Sequence, residues 1–168
     1  MSAALLVVLA FLGSIWLQVS ATGVLGGVSP LWQLLAMVLF VVRWRGLEVH
    51  FIAVALGLGA DLFSSLPFGV NGLAYFLASF PLRYLSIKVL QGGVMVIPFI
   101  TATVALGVKL VLVLLAVNLE GISIPGWHWW TRLLLFELLP TALLAAPLYQ
   151  ALLAMEFWWG IRLSERKQ

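Results

Sequence analysis

Asp61, Lys109 and Glu137 each stand inside a long apolar segment. A charge in such a place is expensive unless it faces protein or water, so each marks a point where the chain must supply a partner. A lysine near two carboxylates offers one solution, with Lys109 pairing with Asp61 or with Glu137. Two kinds of chemistry are open to this intramembrane charge cluster. One is a polar staple that fixes helix packing, the reading the residues favour; the other is a solute or proton site in the same place. Beside Asp61, residues Ala53, Gly57, Ala60 and Ser64 recur at i, i+4, i+7 and i+11, a narrow helical face of small side chains. Small residues at this spacing let a second helix backbone approach closely, so the face predicts helix packing or partner docking.

Weaker polar signals surround these. Asn71 and Tyr75, four residues apart, either bond toward Asp61 or cap and line the turn made by Pro67 and Gly69. Thr141, one turn after Glu137, extends its polar face. His50 and His128 fall at opposite ends of the predicted fold, so they share no metal and read as interfacial residues. Ser64 and Ser65 have no base nearby in the pattern, which leaves a serine nucleophile unsupported. The chain has no phosphate loop, no zinc spacing and no paired carboxylates at catalytic spacing on one helix. Cysteine is absent, which excludes a disulfide framework and thiolate chemistry. The expectation is a protein that is not an enzyme and carries no metal or cofactor.

The elements that must position these residues follow from composition. The chain of 168 residues is 64% hydrophobic and 9% charged, with a mean hydropathy of +1.15. Soluble domains carry about 25% charged residues, so these are too few to cover a water-exposed surface. The composition predicts an all-α integral membrane protein, with its basic residues too dispersed for a nucleic-acid partner. Six apolar segments are expected, at about 3–21, 30–42, 47–66, 70–87, 94–118 and 131–158, in one polytopic domain. The first reads as a retained helix rather than a signal peptide: Val19-Ser20-Ala21 resembles a cleavage site, but no Lys or Arg precedes the apolar run. Glycines at 23, 26 and 27 mark a turn, and Pro30 opens the second helix. That helix is short for a crossing, and a tilted or partly interfacial course is the alternative. Gln91-Gly92-Gly93 breaks the chain, and Pro140 and Pro147 predict a kink in the sixth segment.

Orientation follows from the bases. With six crossings, Arg43, Arg45, Arg83, Lys88, Arg162, Arg166 and Lys167 collect on one side. The positive-inside bias then places both termini in the cytoplasm. Clusters at Trp127, Trp129 and Trp130 and at Phe157, Trp158 and Trp159 suit the two aromatic belts. In this frame Asp61, Lys109 and Glu137 lie about five, nine and six residues from the outer ends of their helices. At about 1.5 Å of rise per residue, all three fall in the outer third of the membrane.

The run from Pro30 through Tyr75 resembles the rod shape-determining protein MreD family. The matching positions are a proline opening helix two and then Gly57, Leu58, Asp61, Leu62, Ser64, Pro67 and Gly69, with Leu73 continuing the pattern. The resemblance is specific over about 45 residues, and the length, helix number and short basic C-terminal end are compatible with it. Leu31-Trp32 follow Pro30 where many members carry an acidic residue. The resemblance implies a non-enzymatic scaffold of the bacterial inner membrane that serves lateral wall synthesis. Its implied partners are an MreC-like protein, with a RodA-like glycosyltransferase, a class B penicillin-binding protein and MreB in the same assembly. Chains of this type also resemble, in fold, the substrate-binding membrane subunits of energy-coupling-factor vitamin transporters, which is the alternative reading. Those subunits dock their coupling protein through an A-x-x-x-A face on helix one. Here Ala3 and Ala4 are followed four residues later by Val7 and Val8, and the clean match is Ala142 to Ala146 on the last helix.

Overall fold

The short second helix is the centre of the molecule. The computed structural model describes residues 3–24, 31–44, 46–64, 66–89, 94–120 and 126–159, and their regular structure is helical, with no strand among them. In chain order they form α1 (Ala3–Val24), α2 (Trp32–Arg43), α3 (Glu48–Asp61) and α4 (Val70–Val89). A single 3-10 turn, Val94–Val96, leads into α5 (Ile97–Glu120). Helix α6 (Trp127–Arg132) continues through a π-helical turn, Leu133–Leu138, into α7 (Leu139–Trp159). The last three pieces make one rod, so the described residues form six rods, as the apolar segments predict. Pro30, Arg45, Ser65, Gln91-Gly92-Gly93 and the basic end from Arg162 lie outside the described residues.

Helix α2 has 12 residues, about 18 Å of rise, and eight of them are buried. A helix that is apolar around its whole circumference belongs in a core. Helices α1, α3, α4, α5 and α7 all pack against it. The short helix expected here is thus an enclosed one, covered by its neighbours on all sides. Among the described residues, two helical stretches are long and apolar enough to cross a membrane, Ile97–Asn118 with 22 residues and Trp127–Met155 with 29.

Polarity is arranged inside out. Ser79, Thr101 and Thr141 are fully buried, and Asp61 and Asn71 nearly so. Leu73, Leu77, Phe80 and Tyr84 form an exposed stripe at i, i+4, i+7 and i+11 along α4, and Leu12, Trp16 and Val19 make another on α1. Hydroxyls near the surface bond back to their own helix, as Thr103 does to the Phe99 carbonyl at 2.8 Å.

Helix α3 differs from expectation at its end. It stops at Asp61 rather than continuing to Leu66, so Asp61 is its last residue and Ser64 leaves the small-residue face. The reason is that the Asp61 carboxylate is committed to the next helix, and the chain must unwind to turn there. The remaining small face packs inward. Ala53 is fully buried, Ala60 is half-buried, and a Cβ added to Gly57 would lie 2.6 Å from both the Asn71 carbonyl oxygen and the Gly72 Cα. Gly57 therefore exists as glycine so that the α3 and α4 backbones can touch. The partner-docking role open to this face is taken at Gly57 by the protein's own α4.

Gly57→Ala is expected to cost about 1–3 kcal/mol, because backbone atoms rather than a side-chain tip must move. Gly107→Ala, on α5 with open space around its Cβ position, is the control and should be neutral or slightly stabilising. Thermal unfolding in one detergent reads both; equal midpoints for the two variants would remove the close-approach argument.

Candidate functional site

The first component of the site is the corner between α3 and α4. Asp61 Oδ2 accepts hydrogen bonds from the Gly69 and Gly72 amides at 2.9 and 3.3 Å. Its Oδ1 accepts from the Asn71 amide at 3.0 Å and from Asn71 Nδ2 at 2.8 Å. Since α4 begins at Val70, these are the amides that the first turn of a helix leaves without internal partners. One carboxylate from the preceding helix thus satisfies the N-cap, N2 and N3 positions at once, and its charge faces the positive end of the α4 dipole. The turn is built to allow this. Gly69 has φ of 98°, a left-handed conformation that favours glycine, and the Ser64 hydroxyl accepts from the Leu66 amide at 3.1 Å. Of the two roles left open for it, Asn71 takes the bond to Asp61, through both its backbone and its side-chain amide.

The second component is an ion pair between α5 and the π turn. Lys109 Nζ lies 2.6 Å from Glu137 Oε2, with both side chains about a quarter exposed (21% and 27%). Of the two partners open to Lys109, the structure selects Glu137, and Asp61 turns to backbone donors instead. Within the π turn the Leu139 amide donates to the Leu134 carbonyl, a five-residue step. This turn directly precedes Pro140, whose ring would collide with the carbonyl four residues back in a regular α-helix. Thr141, fully buried, donates to the Glu137 carbonyl and accepts from the Leu31 amide at 2.9 Å. It therefore ties the start of α2 to α7.

These components share a cavity of about 480 Å³. Lys109, Glu137, Asn71 and Tyr75 line it, together with Ala60, Ser64 and apolar side chains of α2 and α5. Asp61 acts on it through Asn71. Two polar lining residues were not singled out in the sequence, Gln18 on α1 and Gln33 on α2. The signal was legible: each is a carboxamide inside an apolar segment. Gln33 is 3% exposed, and its Nε2 and the Gln18 Oε1 are buried without hydrogen-bond partners.

At the far end of α3 the histidine expectation changes. His50 is buried, stacked on Phe80 at 4.4 Å, with Nδ1 2.6 Å from the Ser79 hydroxyl oxygen. Because Ser79 donates its proton to the Phe76 carbonyl at 2.6 Å, His50 must donate to Ser79. An imidazole that donates to a hydroxyl is not its base, and Ser79 is fully buried. The pair is a packing link between α3 and α4. His128 is exposed.

Fold and site together define an all-helical protein with a capped helix corner and an ion-paired cavity. No protein-family model, curated protein or solved structure matches the chain.

Two outcomes are expected of this site. Asp61→Ala should destabilise the protein by roughly 2–4 kcal/mol, since a cap and charge-assisted bonds are lost together; a variant as stable as the parent would show that α4 needs no outside cap. Lys109→Met should destabilise by about 1–3 kcal/mol through an orphaned Glu137, and Lys109→Met with Glu137→Leu should recover most of that loss. A double-mutant cycle on the unfolding midpoint measures the coupling, and simple additivity would mean the pair contributes nothing.

Proposed function

We propose that the protein is a non-enzymatic, multi-pass membrane scaffold of the MreD type, serving lateral wall synthesis in the bacterial inner membrane. The observation that carries this reading is the fate of the residues in the resemblance. Gly57 is consumed by helix contact, Asp61 by four donors, Ser64 by the turn and Gly69 by a left-handed conformation. A motif used up in this way is a device for holding two helices at a fixed angle, and it leaves no reactive group over. A scaffold requires a rigid body of this kind, whereas an enzyme requires an accessible polar constellation.

The exposed apolar stripes on α1 and α4, with polar groups inside, support a lipid-facing bundle of six crossings. Arg83 on α4 donates to the Trp44 carbonyl just after Arg43, which brings these bases to one end of the bundle, opposite Asp61. That end is the cytoplasmic one under the positive-inside bias, and it puts the N-terminus of α1 in the cytoplasm with the C-terminus. On this reading the outward apolar faces accept an MreC-like single-span partner, with the RodA-like glycosyltransferase, the class B penicillin-binding protein and MreB held in the same assembly.

One observation favours a second reading. The cavity of about 480 Å³ has the size of a small-molecule site, and a substrate-binding membrane subunit of an energy-coupling-factor transporter would need one. Affinity purification of the tagged protein from its native membrane in mild detergent separates the two. Recovery of an MreC-like chain with wall-synthesis enzymes is the expected result. Recovery of paired cytoplasmic ATPases with a coupling membrane protein would overturn the scaffold.

A further inference from the structure

We propose that the outward face of α7 is a self-association surface, on which a second copy of this chain docks through Gln150. The proposal rests on the membrane crossing of the α6–α7 rod, and on neither choice of partner proteins.

The first observation is a repeat. Helix α7 runs unbroken from Leu139 to Trp159, through Pro147. The bundle uses its inward face, where Thr141, Ala145 and Tyr149 are buried. On the opposite face Leu143, Gln150 and Phe157 are exposed at i, i+7 and i+14. Pro147 and Ala154, also exposed and also seven residues apart, lie between them. An outward seam that repeats every seven residues is the pattern by which two parallel helices interlock. Ala154, one turn after Gln150, leaves room there for a second helix to come close.

The second observation is Gln150 itself. It stands seven residues before Phe157, about 10 Å of rise inside that aromatic belt, so lipid surrounds it in a single copy. Two other exposed polar residues turn back on their own helix, Thr103 to the Phe99 carbonyl at 2.8 Å and Asn118 to the Leu114 carbonyl at 2.6 Å. Among the described residues the Gln150 side chain has no such bond. Its amide is a donor and an acceptor with neither function met, in a medium that supplies no replacement. The stripes on α1 and α4, with Leu12, Trp16 and Val19 on one and Leu73 and Leu77 on the other, set no carboxamide in lipid.

Symmetry then selects the occupant. Copies of a membrane protein share one orientation, so a two-fold axis along the membrane normal brings each residue opposite its own counterpart at equal depth. A carboxamide suits that position because it is self-complementary: each N–H donates to the other copy's C=O. A charged side chain there would repel its copy. One polar residue in an otherwise apolar seam also fixes register and the number of helices. A different protein would need a polar group of its own at the matching depth, whereas a second copy brings one with it.

The test uses the full chain in phosphatidylethanolamine–phosphatidylglycerol liposomes, with donor and acceptor dyes on a cysteine appended after Gln168, since the chain has no cysteine of its own. A carbonate wash comes first, and protein released by it would overturn the crossing and this inference together. Energy transfer should then rise linearly with the acceptor fraction, as a dimer requires, and exceed the level of random proximity. Gln150→Leu should weaken association about three- to thirtyfold, and Gln150→Asn, which keeps a carboxamide, should weaken it less. Because Gln150 is exposed, the unfolding midpoint of Gln150→Leu in dilute detergent should match that of the parent, which keeps loss of pairing distinct from loss of fold. In native membranes, copper phenanthroline should join Leu143→Cys into a disulfide-linked dimer and leave Leu77→Cys, on the α4 stripe, unlinked. Transfer at the random level, or transfer undiminished by Gln150→Leu, would overturn the proposal. So would cross-linking of Leu143→Cys to a chain of different mass. Once the wash is passed, these failures leave the membrane crossing and the co-purification result untouched.

Discussion

A carboxylate removed from water must recover most of its lost solvation from the protein, and Asp61 does so with three backbone amides and one side-chain amide. The arrangement solves two problems with one group. The first turn of α4 would otherwise leave its amides unpartnered inside an apolar body, where no water can serve them. The charge of Asp61 would otherwise have no partner at all. Because the donors lie on successive residues of one turn, the carboxylate also fixes the direction in which α4 leaves the corner. Gly57 then lets the two helices meet backbone to backbone below it. The positions of Asn71 and Tyr75 on the cavity wall follow from that angle.

The same logic recurs at the central helix. The start of α2 is held by the Thr141 hydroxyl of α7 through the Leu31 amide, and its end by the Arg83 guanidinium of α4 through the Trp44 carbonyl. Each end of a short enclosed helix exposes backbone groups that its own turns cannot satisfy, so neighbouring helices supply side chains. Helix termini in this protein are therefore tertiary contacts as well as local ones. That makes the polar interior a small set of fixed ties, in which removing one group orphans another.

The cavity wall differs in kind from these ties. The Lys109–Glu137 pair is closed on itself, and the π turn that carries Glu137 departs from regular helix just before Pro140. Widening the helix there relieves the proline and brings a carboxylate toward α5. Gln18 and Gln33 line the same cavity, each with one buried polar atom that has no hydrogen-bond partner.

Composition and apolar run length by themselves determined an all-helical chain of six rods, because long apolar segments separated by glycine, proline and charge permit little else. Residue type also singled out Asp61, Gly57, Pro67, Gly69, Lys109 and Glu137, since a charge or a glycine in an apolar run demands a local cause. Four matters were decided by the tertiary structure. Whether Lys109 took Asp61 or Glu137 depended on Asp61 already being committed to the start of α4, a contact across a turn that spacing on a straight helix misplaces. The end of α3 at Asp61 followed from the same commitment, which cut Ser64 from the small-residue face. The short α2 became the core because five other helices cover it, and the two glutamines became neighbours of one cavity only when α1 and α2 packed together. Local pattern reports what a residue needs; which neighbour meets the need is settled by distances between segments far apart in the chain.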